Sequence, residues 1–262
     1  MTLLVAKIEG IGFWADGLPS WEAARAFAAG GALPGDAPAR PAPELLPANE
    51  RRRAPGTVAV ALDAALAACR AAGADPAALP SVFASTHGDL GITDYICATL
   101  AGDDPASLSP TRFHNSVHNA AAGYWTIGAG SHAPATALSA GGGTFAQALV
   151  EAMSQLQAGE PRVLLVAYDG PSAGPLAAVA RSEGLLGAAL VLSRAPDPTL
   201  PRLRGTFVAA PAPTPPGPLG RRLGANAMAP MLPLFDALAS GRDLIQLDAG
   251  PGRALRVEIA HA

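Results

Sequence analysis

The segment RVLLVAYDG, residues 162–170, is a continuous apolar run that ends in an aspartate and a glycine. A run of this length is typical of a β-strand, and the lack of polar alternation predicts that both of its faces are covered. A sheet that contains such a strand needs packed layers on both sides. Together with helix patterns elsewhere in the chain, this segment predicts a layered α/β fold.

Other segments of the chain alternate between strand and helix patterns, which predicts one α/β domain without internal repeats. The predicted strands are 3–9, 79–86, 133–139, 162–170, 187–194, 203–210, 243–249 and 254–260. The predicted helices lie within 18–31 with Ser20 as N-cap, 51–73 with Gly73 as stop, 89–101, 109–130, 143–158, and 226–241 broken by Pro230 and Pro233. Residues 31–50 and 211–224 are rich in proline and are predicted as loops.

Composition argues against several classes of protein. Half of the residues are hydrophobic, but no apolar run reaches the roughly 18 residues of a membrane span. The apolar N-terminus is interrupted by Lys7, Glu9 and Asp16 and does not look like a signal peptide, so we expect a cytoplasmic protein. The net charge of −3 provides no field that favours nucleic acid.

The two cysteines, Cys69 and Cys97, form neither a disulfide framework nor a zinc spacing. No other ligand set indicates a metal, and no glycine fingerprint of the G-x-G-x-x-G type indicates a nucleotide cofactor. We therefore expect neither a metal nor a cofactor.

The stretch TALSAGGGTFAQALVEAMSQLQAG, residues 136–159, has the form of a strand, a glycine corner and a helix. The helix pattern places one apolar face on Phe145, Ala148, Leu149, Ala152, Met153 and Leu156. Corners of this kind often hold a catalytic nucleophile. Here the corner carries Gly141, Gly142 and Gly143, and no reactive side chain stands among them.

The segment SPTRFHNSVHNAAAG precedes this corner and has the form S-P-x-x-F-x-x-S-x-x-N-x-x-A-G. With the corner, it resembles the nucleophile-containing half of a β-ketoacyl synthase, an enzyme of the thiolase fold. The resemblance covers most of residues 1–195 and is nearest to stand-alone proteins encoded with aryl polyene pathways. It implies a mixed sheet of the five-stranded type covered by helices, as a single incomplete ketosynthase-type unit. Residues 1–262 would form one domain, with a core over 1–195 and a divergent extension over 196–262.

The resemblance also locates the nucleophile. In the family, the catalytic cysteine lies about 20 residues after the alanine of the A-G pair, which here is Ala122. The nucleophile helix ends at a glycine about 17 residues after that cysteine, which here is Gly159. Both spacings lead to Gly142. The position is therefore vestigial, no catalytic residue is assigned, and none of the five histidines matches the family's catalytic pair.

A ketosynthase-like chain without a nucleophile resembles a chain-length factor, a non-catalytic partner that binds an active ketosynthase as a heterodimer. This implies a role in polyene or fatty-acid-like biosynthesis, with acyl carrier protein met through the complex. PATALSA, residues 134–140, would pair across the dimer interface. The implied tunnel or interface residues are Phe113, His118, Asn119, Tyr124, Ser139 and Phe145, although core packing also accounts for Phe145 and for Trp125.

Two other functions remain open. The chain is a divergent β-ketoacyl synthase or acyltransferase that uses His87, Ser139 or an unrecognised group, or it is a homodimeric binding protein. Ser139 lacks the G-x-S-x-G frame of a serine hydrolase. His87 and Asp89 stand at a strand end, where α/β proteins place active sites, but Asp89 also suits a helix N-cap.

Three further features have structural interpretations, and two of them also have functional ones. The three glycines allow close packing of helix on strand, mark a relict active site, or form a helix N-terminus that binds an anion. Asp169 is read as a turn residue. The basic triplet Arg51–Arg53 is a solvated helix start or a docking patch for an acidic partner.

Overall fold

The computed structural model describes residues 4–209 and 214–261. In this part the strands are β1 Leu4–Ala15, β2 Ser81–Ala84, β3 Ala135–Leu138, β4 Arg162–Asp169, β5 Leu186–Ser193, β6 Arg202–Ala209, β7 Leu244–Asp248 and β8 Arg253–Ala260. The helices are α1 Trp21–Ala28, α2 Ala48–Arg53, α3 Gly56–Ala71, α4 Leu90–Leu100, α5 Pro110–His114, α6 Ala120–Ala129, α7 Thr144–Ala158, α8 Pro218–Leu223 and α9 Leu232–Ser240. None of the helices in these ranges is long and apolar enough to cross a membrane.

All eight strands belong to one mixed sheet in the order β3-β2-β4-β5-β1-β6-β8-β7. The expectation of a five-stranded sheet is wrong in number. The first five strands of this order do form a continuous block, and the last three extend it. They attach because β1 is long: its residues 7–15 pair with β5, and its residues 4–7 pair with β6. The segment predicted as an extension, 196–262, thus continues the same sheet.

The central strand β4 is covered on both faces, as its apolar run predicts. Val163, Leu165 and Ala167 belong to one buried cluster, which includes α7 and α9. Leu164, Val166 and Tyr168 belong to the other, which includes α3 and α6. The alternation follows from the two-residue period of a strand, and it produces three layers with the sheet in the middle.

Strand β1 extends well beyond the predicted 3–9, of which Leu3 lies outside the described residues. The sequence signal stops early because Gly10 and Gly12 weaken it. The structure explains both glycines by close approach to α3. A Cβ at Gly10 would lie 2.2 Å from the Ala68 carbonyl oxygen, and one at Gly12 would lie 1.9 Å from that of Ala64.

The predicted helix 51–73 is two helices, α2 and α3. Pro55 separates them, and Ala54 before it has an extended backbone with ψ 132°, because a residue before proline is disfavoured in the helical region. The basic triplet therefore closes α2 and does not open α3. The N-caps Ser20 and Asp89 are confirmed, since their side chains accept from Ala23 N and Ile92 N.

The C-terminal segment contains one element that the sequence pattern missed. Helix α8 lies in the predicted proline-rich loop 211–224, and buried Asp236 accepts hydrogen bonds from the N–H groups of Leu219 and Gly220 at its start. Residue 210 of the predicted strand and residues 211–213 of the predicted loop lie outside the described residues. The predicted helix 226–241 is a short 3₁₀ turn followed by α9.

The sheet wraps around α7. This helix contacts β1, β2, β4 and β5, and it also contacts β7, which stands at the far edge from β3. The segments that follow the two edge strands therefore meet at the start of α7. Residues from the two edges of the sheet are brought together at the glycine corner in this way.

Candidate functional site: the glycine corner and its surface

The glycine corner joins β3 to α7 as a 3₁₀ turn over Gly141–Gly143. Gly141 has φ +56°, a conformation that residues with a side chain rarely adopt. The Thr144 hydroxyl closes the turn, because it accepts from Ala140 N at 3.0 Å and donates to the Gly141 carbonyl at 2.6 Å. The corner thus has an ordered strand-to-helix geometry without a side chain at its centre.

The turn between β7 and β8 packs against this corner. A Cβ at Gly142 would lie 3.0 Å from Asp248 Oδ2. A Cβ at Gly143 would lie 2.9 Å from the backbone of Ala249 and Gly250. Close packing, one of the readings of the three glycines, accounts for Gly143, because backbone cannot move aside as the end of a side chain can.

A buried carboxylate organises the strand ends beside the corner. Asp169 Oδ1 accepts from Ser85 Oγ at 2.7 Å and from His87 N at 3.1 Å, and its Oδ2 accepts from Thr86 N at 2.9 Å. Burial raises the pKa of Asp169 above its ordinary value, while the three hydrogen bonds act in the opposite direction. Asp169 is therefore not a simple turn residue, since it ties the end of β4 to the end of β2.

Ser139 and His118 attach to the same loop through backbone oxygens. Ser139 Oγ donates to the Thr86 carbonyl at 3.0 Å, and His118 Nε2 lies 2.8 Å from the Ser85 carbonyl. Within the described ranges, neither side chain hydrogen-bonds the other, as a serine–histidine pair would require. This is the strand-end loop in which the sequence placed His87, at the position where α/β proteins often hold active sites.

The other proposed tunnel or interface residues divide between surface and core. Phe113 is 60% exposed, and Asn119 is also exposed. Tyr124 is half-buried on α6. Phe145 is buried in the core, with its ring centroid 6.3 Å from that of Phe235, and it does not join the others at the surface.

A largely apolar groove of about 430 Å³ runs between α2 and α6. Ile127 is 79% exposed and Val117 is 52% exposed, which is high for large apolar side chains of one groove. The groove is lined by Glu50, Arg53, Thr111, His114, Val117, Asn119, Ala120, Gly123, Tyr124 and Ile127. It gives Asn119 and Tyr124 a shared surface, which the sequence alone did not establish.

Strand β3 is an exposed edge. Its residues alternate between exposed and half-buried, and within the described chain it pairs only with β2, in parallel. An unprotected edge of this kind presents unpaired N–H and C=O groups and is a template for another strand.

A basic face lies on the other side of α2. Arg40, Arg51 and Arg52 line a recess of about 820 Å³ together with Asp89 and Pro171. In residues 4–209 and 214–261, none of these arginines has a carboxylate oxygen within 4.0 Å, in contrast to arginines elsewhere such as Arg162 with Glu9.

Three other side chains complete the description, the two cysteines and Asp89. Cys69 is a buried residue of α3, and burial raises the pKa of its thiol to about 12. Cys97 is exposed on α4. Asp89, the partner considered for His87, accepts from Thr57 Oγ1 at 2.8 Å and caps α4.

A family model described as the N-terminal domain of β-ketoacyl synthase matches residues 21–210. The chain belongs to this family. The ketosynthase-like chain has a thiolase-like fold, as the resemblance implied. No curated protein matched it.

Three solved complexes share the fold along nearly the whole chain. A ketosynthase in complex with its chain length factor from Xenorhabdus doucetiae has 24% identity and a TM-score of 0.76, over 97% of this chain and 99% of the matched one. The ishigamide ketosynthase/chain length factor has 16% identity and a TM-score of 0.74, over 97% and 99%. The type II polyketide complex AntDE:AntF, an acyl-carrier protein bound to its ketosynthase, has 12% identity and a TM-score of 0.75, over 100% of both. At these identities the likeness establishes the fold.

Proposed function

We propose that this chain is a non-catalytic, chain-length-factor-like partner of a β-ketoacyl-[acyl-carrier-protein] synthase that makes a polyene or fatty-acid-like chain. The observation that carries the proposal is Gly142 at the centre of an otherwise ordered ketosynthase corner. Condensation requires a thiolate that holds the growing acyl chain. A chain that keeps the corner without the thiol retains the shape that a partner recognises.

The surface beside the corner supports a partner role. The free edge of β3 offers backbone groups for pairing, and the groove between α2 and α6 offers apolar area next to it. Main-chain pairing with an adjacent apolar contact is a recurrent mode of association. The names of the structural neighbours, two of which are ketosynthase and chain length factor complexes, also support it.

Contact with an acyl carrier protein belongs to the same proposal. One neighbour is a ketosynthase bound to such a carrier protein. Among the described residues, Arg40, Arg51 and Arg52 have no carboxylate oxygen within 4.0 Å, so they offer a positive face to an acidic protein. We place the complex in the cytoplasm and regard residues 4–209 and 214–261 as one unit, because one sheet runs through both.

Tyr124 is the residue through which the groove would influence chain length. Its half-buried ring lines the groove, whereas Phe145 packs inside this chain. We expect Tyr124→Trp to shorten the product of the complex and Tyr124→Ala to lengthen it. Phe145→Ala would instead lower stability by about 3–5 kcal/mol.

The test is co-expression with the ketosynthases of the same genome, followed by native mass spectrometry. We expect a 1:1 heterodimer with one of them. Ile127→Asp should weaken it by about tenfold or more, because an unpaired charge would be buried at the contact. Val179→Asp is the matched control, since Val179 is 84% exposed and lies outside the groove.

Two results would contradict the proposal. A stable homodimer that ignores every ketosynthase would favour the homodimeric binding protein. Condensation of malonyl and acyl carrier-protein substrates by the isolated chain would favour a divergent synthase.

A further inference from the structure

The turn between β7 and β8 covers the position from which a nucleophile would project. Asp248 is the last residue of β7, and its Oδ1 accepts from Gly250 N at 2.9 Å. Its other oxygen points at the corner, 3.0 Å from where a Cβ at Gly142 would stand. One carboxylate thus braces its own turn and fills the space in front of the corner.

The turn is fastened to the corner by two further contacts. Gln147, in the first turn of α7, donates from Nε2 to the Ala249 carbonyl at 2.8 Å. Gly143 leaves no room for a side chain between the corner and the backbone of Ala249 and Gly250. Ala249 is buried although it belongs to a hairpin turn. The turn is therefore docked against the corner, and the hydrogen bond from Gly250 N orients the exposed Asp248 carboxylate.

The negative charge of Asp248 disfavours the thiolate that the family holds at this corner. A helix N-terminus favours a negative charge and lowers the pKa of a cysteine placed there. A carboxylate at the same place disfavours a second negative charge nearby and raises that pKa. A thiolate at position 142 would therefore stand close to the Asp248 carboxylate at the start of α7.

We propose that the β7–β8 turn is a built-in block of the vestigial nucleophile site, with Asp248 as the group that occupies it. The ketosynthase chemistry is then lost twice, by the glycine at position 142 and by the carboxylate in front of it. This gives a role to the β7–β8 turn, whose residues Asp248, Ala249 and Gly250 lie nearest to Cβ positions at Gly142 and Gly143. The block would be a second reason why the chain is non-catalytic. It rests on the proposed function only in its role for the complex, and not in its geometry.

The test introduces a thiol at the corner and measures its reactivity. Gly142→Cys is made in a Cys97→Ser background, because Cys97 is exposed, whereas Cys69 is buried and its thiol has a pKa raised to about 12. The rate of alkylation by iodoacetamide is followed against pH, with mass spectrometry to locate the label. The same thiol is measured with Asp248→Asn, which keeps the size of the side chain and removes its charge.

We expect G142C/D248N to be alkylated about tenfold faster than G142C at pH 7.5, which corresponds to a thiol pKa lower by about one unit. Asp243→Asn is the control, since Asp243 is an exposed carboxylate just before the other end of β7. G142C/D243N should match G142C within about twofold. Equal rates with and without the Asp248 charge, or a faster rate with it, would overturn the proposal.

If the thiol variants do not fold, a second measurement tests the proposal without a new thiol. Asp248→Asn on the natural glycine corner should speed amide hydrogen exchange in the peptide that covers residues 139–147, by about threefold or more, and D243N should not. Unchanged exchange in D248N would count against the block. Both experiments use this chain alone, so a failed search for a ketosynthase partner would leave their outcome unaffected.

Discussion

The two edges of the sheet are built in opposite ways. The β7 edge is flanked by Arg242, Asp243 and Asp248, is contacted by α9, and has its Gln246 N–H bonded to Thr214 Oγ1 at 2.8 Å. The β3 edge, Ala135–Leu138, carries no charge, and no described side chain satisfies its outer N–H groups. Charges and covering elements are the usual protection of an edge strand against unwanted pairing. We therefore expect the bare edge to be the side of the sheet that a partner would pair with.

The hydrogen-bond pattern also identifies which residues of each edge face outward. The carbonyls of Pro134 and Leu138 accept from β2, so Ala135 and Ala137 direct their N–H groups away from the sheet. On the opposite edge, the Asp243 carbonyl accepts from β8, so Leu244 and Gln246 face outward. This makes a matched pair of proline substitutions possible.

The largest effect is expected from Ala137→Pro. Proline fits an already extended strand. It removes an outward N–H donor and places its ring in the path of a partner strand, which should make the free energy of binding less favourable by about 3 kcal/mol. The dissociation constant of the ketosynthase complex should rise about a hundredfold, measured by native mass spectrometry or calorimetry. Leu244→Pro, its counterpart on the protected edge, should change it less than threefold. If both prolines weakened the complex equally, the difference between the edges would have no bearing on association.

Asp169→Asn should destabilise the strand ends beside β3. At least one of the donors from Ser85, Thr86 and His87 would face the new amide N–H₂ group and lose its acceptor, at a cost of about 2–3 kcal/mol. Urea unfolding measures this cost directly. A loss below about 0.5 kcal/mol would show that Asp169 does not anchor this side.

The same variant has a defined pH dependence. Burial raises the pKa of Asp169 in the folded chain above its ordinary 3.8, so the folded state binds the proton more tightly than the unfolded state. The stability linked to this group is complete below pH 3.8 and is lost as the pH rises through the folded pKa. Wild type should therefore gain stability relative to D169N as the pH falls from 7 through the raised folded pKa toward 3.8.

Gly143→Ala should lower the free energy of unfolding by about 1–2 kcal/mol, because its Cβ would meet the backbone of Ala249 and Gly250 at 2.9 Å. Gly142→Ala should change the free energy of unfolding by less than about 0.5 kcal/mol, since its Cβ would meet only the end of the exposed Asp248 side chain. Thermal unfolding of the two variants compares a contact with backbone against a contact with a movable carboxylate. Equal costs would mean that the β7–β8 turn is not docked as described.

The smallest effect is expected on the protected edge itself. Thr214→Ala removes the acceptor of the Gln246 N–H and should lower stability by about 1 kcal/mol or less, because water replaces it at a half-buried site. Binding to the ketosynthase should not change. A weaker complex would place the β7 edge at the interface and reverse the comparison.

Much of this protein was readable from its sequence. The apolar run of β4, the buried face of α7 and the caps Ser20 and Asp89 were predicted and are found, because periodicity and capping depend on residues a few positions apart. The motif spacing also led to Gly142 and to the family. The predicted bounds were wrong near glycine and proline. The prediction ended β1 before Gly10 and Gly12, and it missed that Pro55 separates α2 from α3.

Only the tertiary structure decided which strands are edges, how the last three strands lengthen the sheet, and what faces the corner. Asp248 comes to Gly142 because the sheet wraps around α7, and Asp169 becomes buried because the ends of β2 and β4 meet. Such contacts join residues far apart in the chain. They depend on the packing of whole layers, which no local pattern of residues encodes.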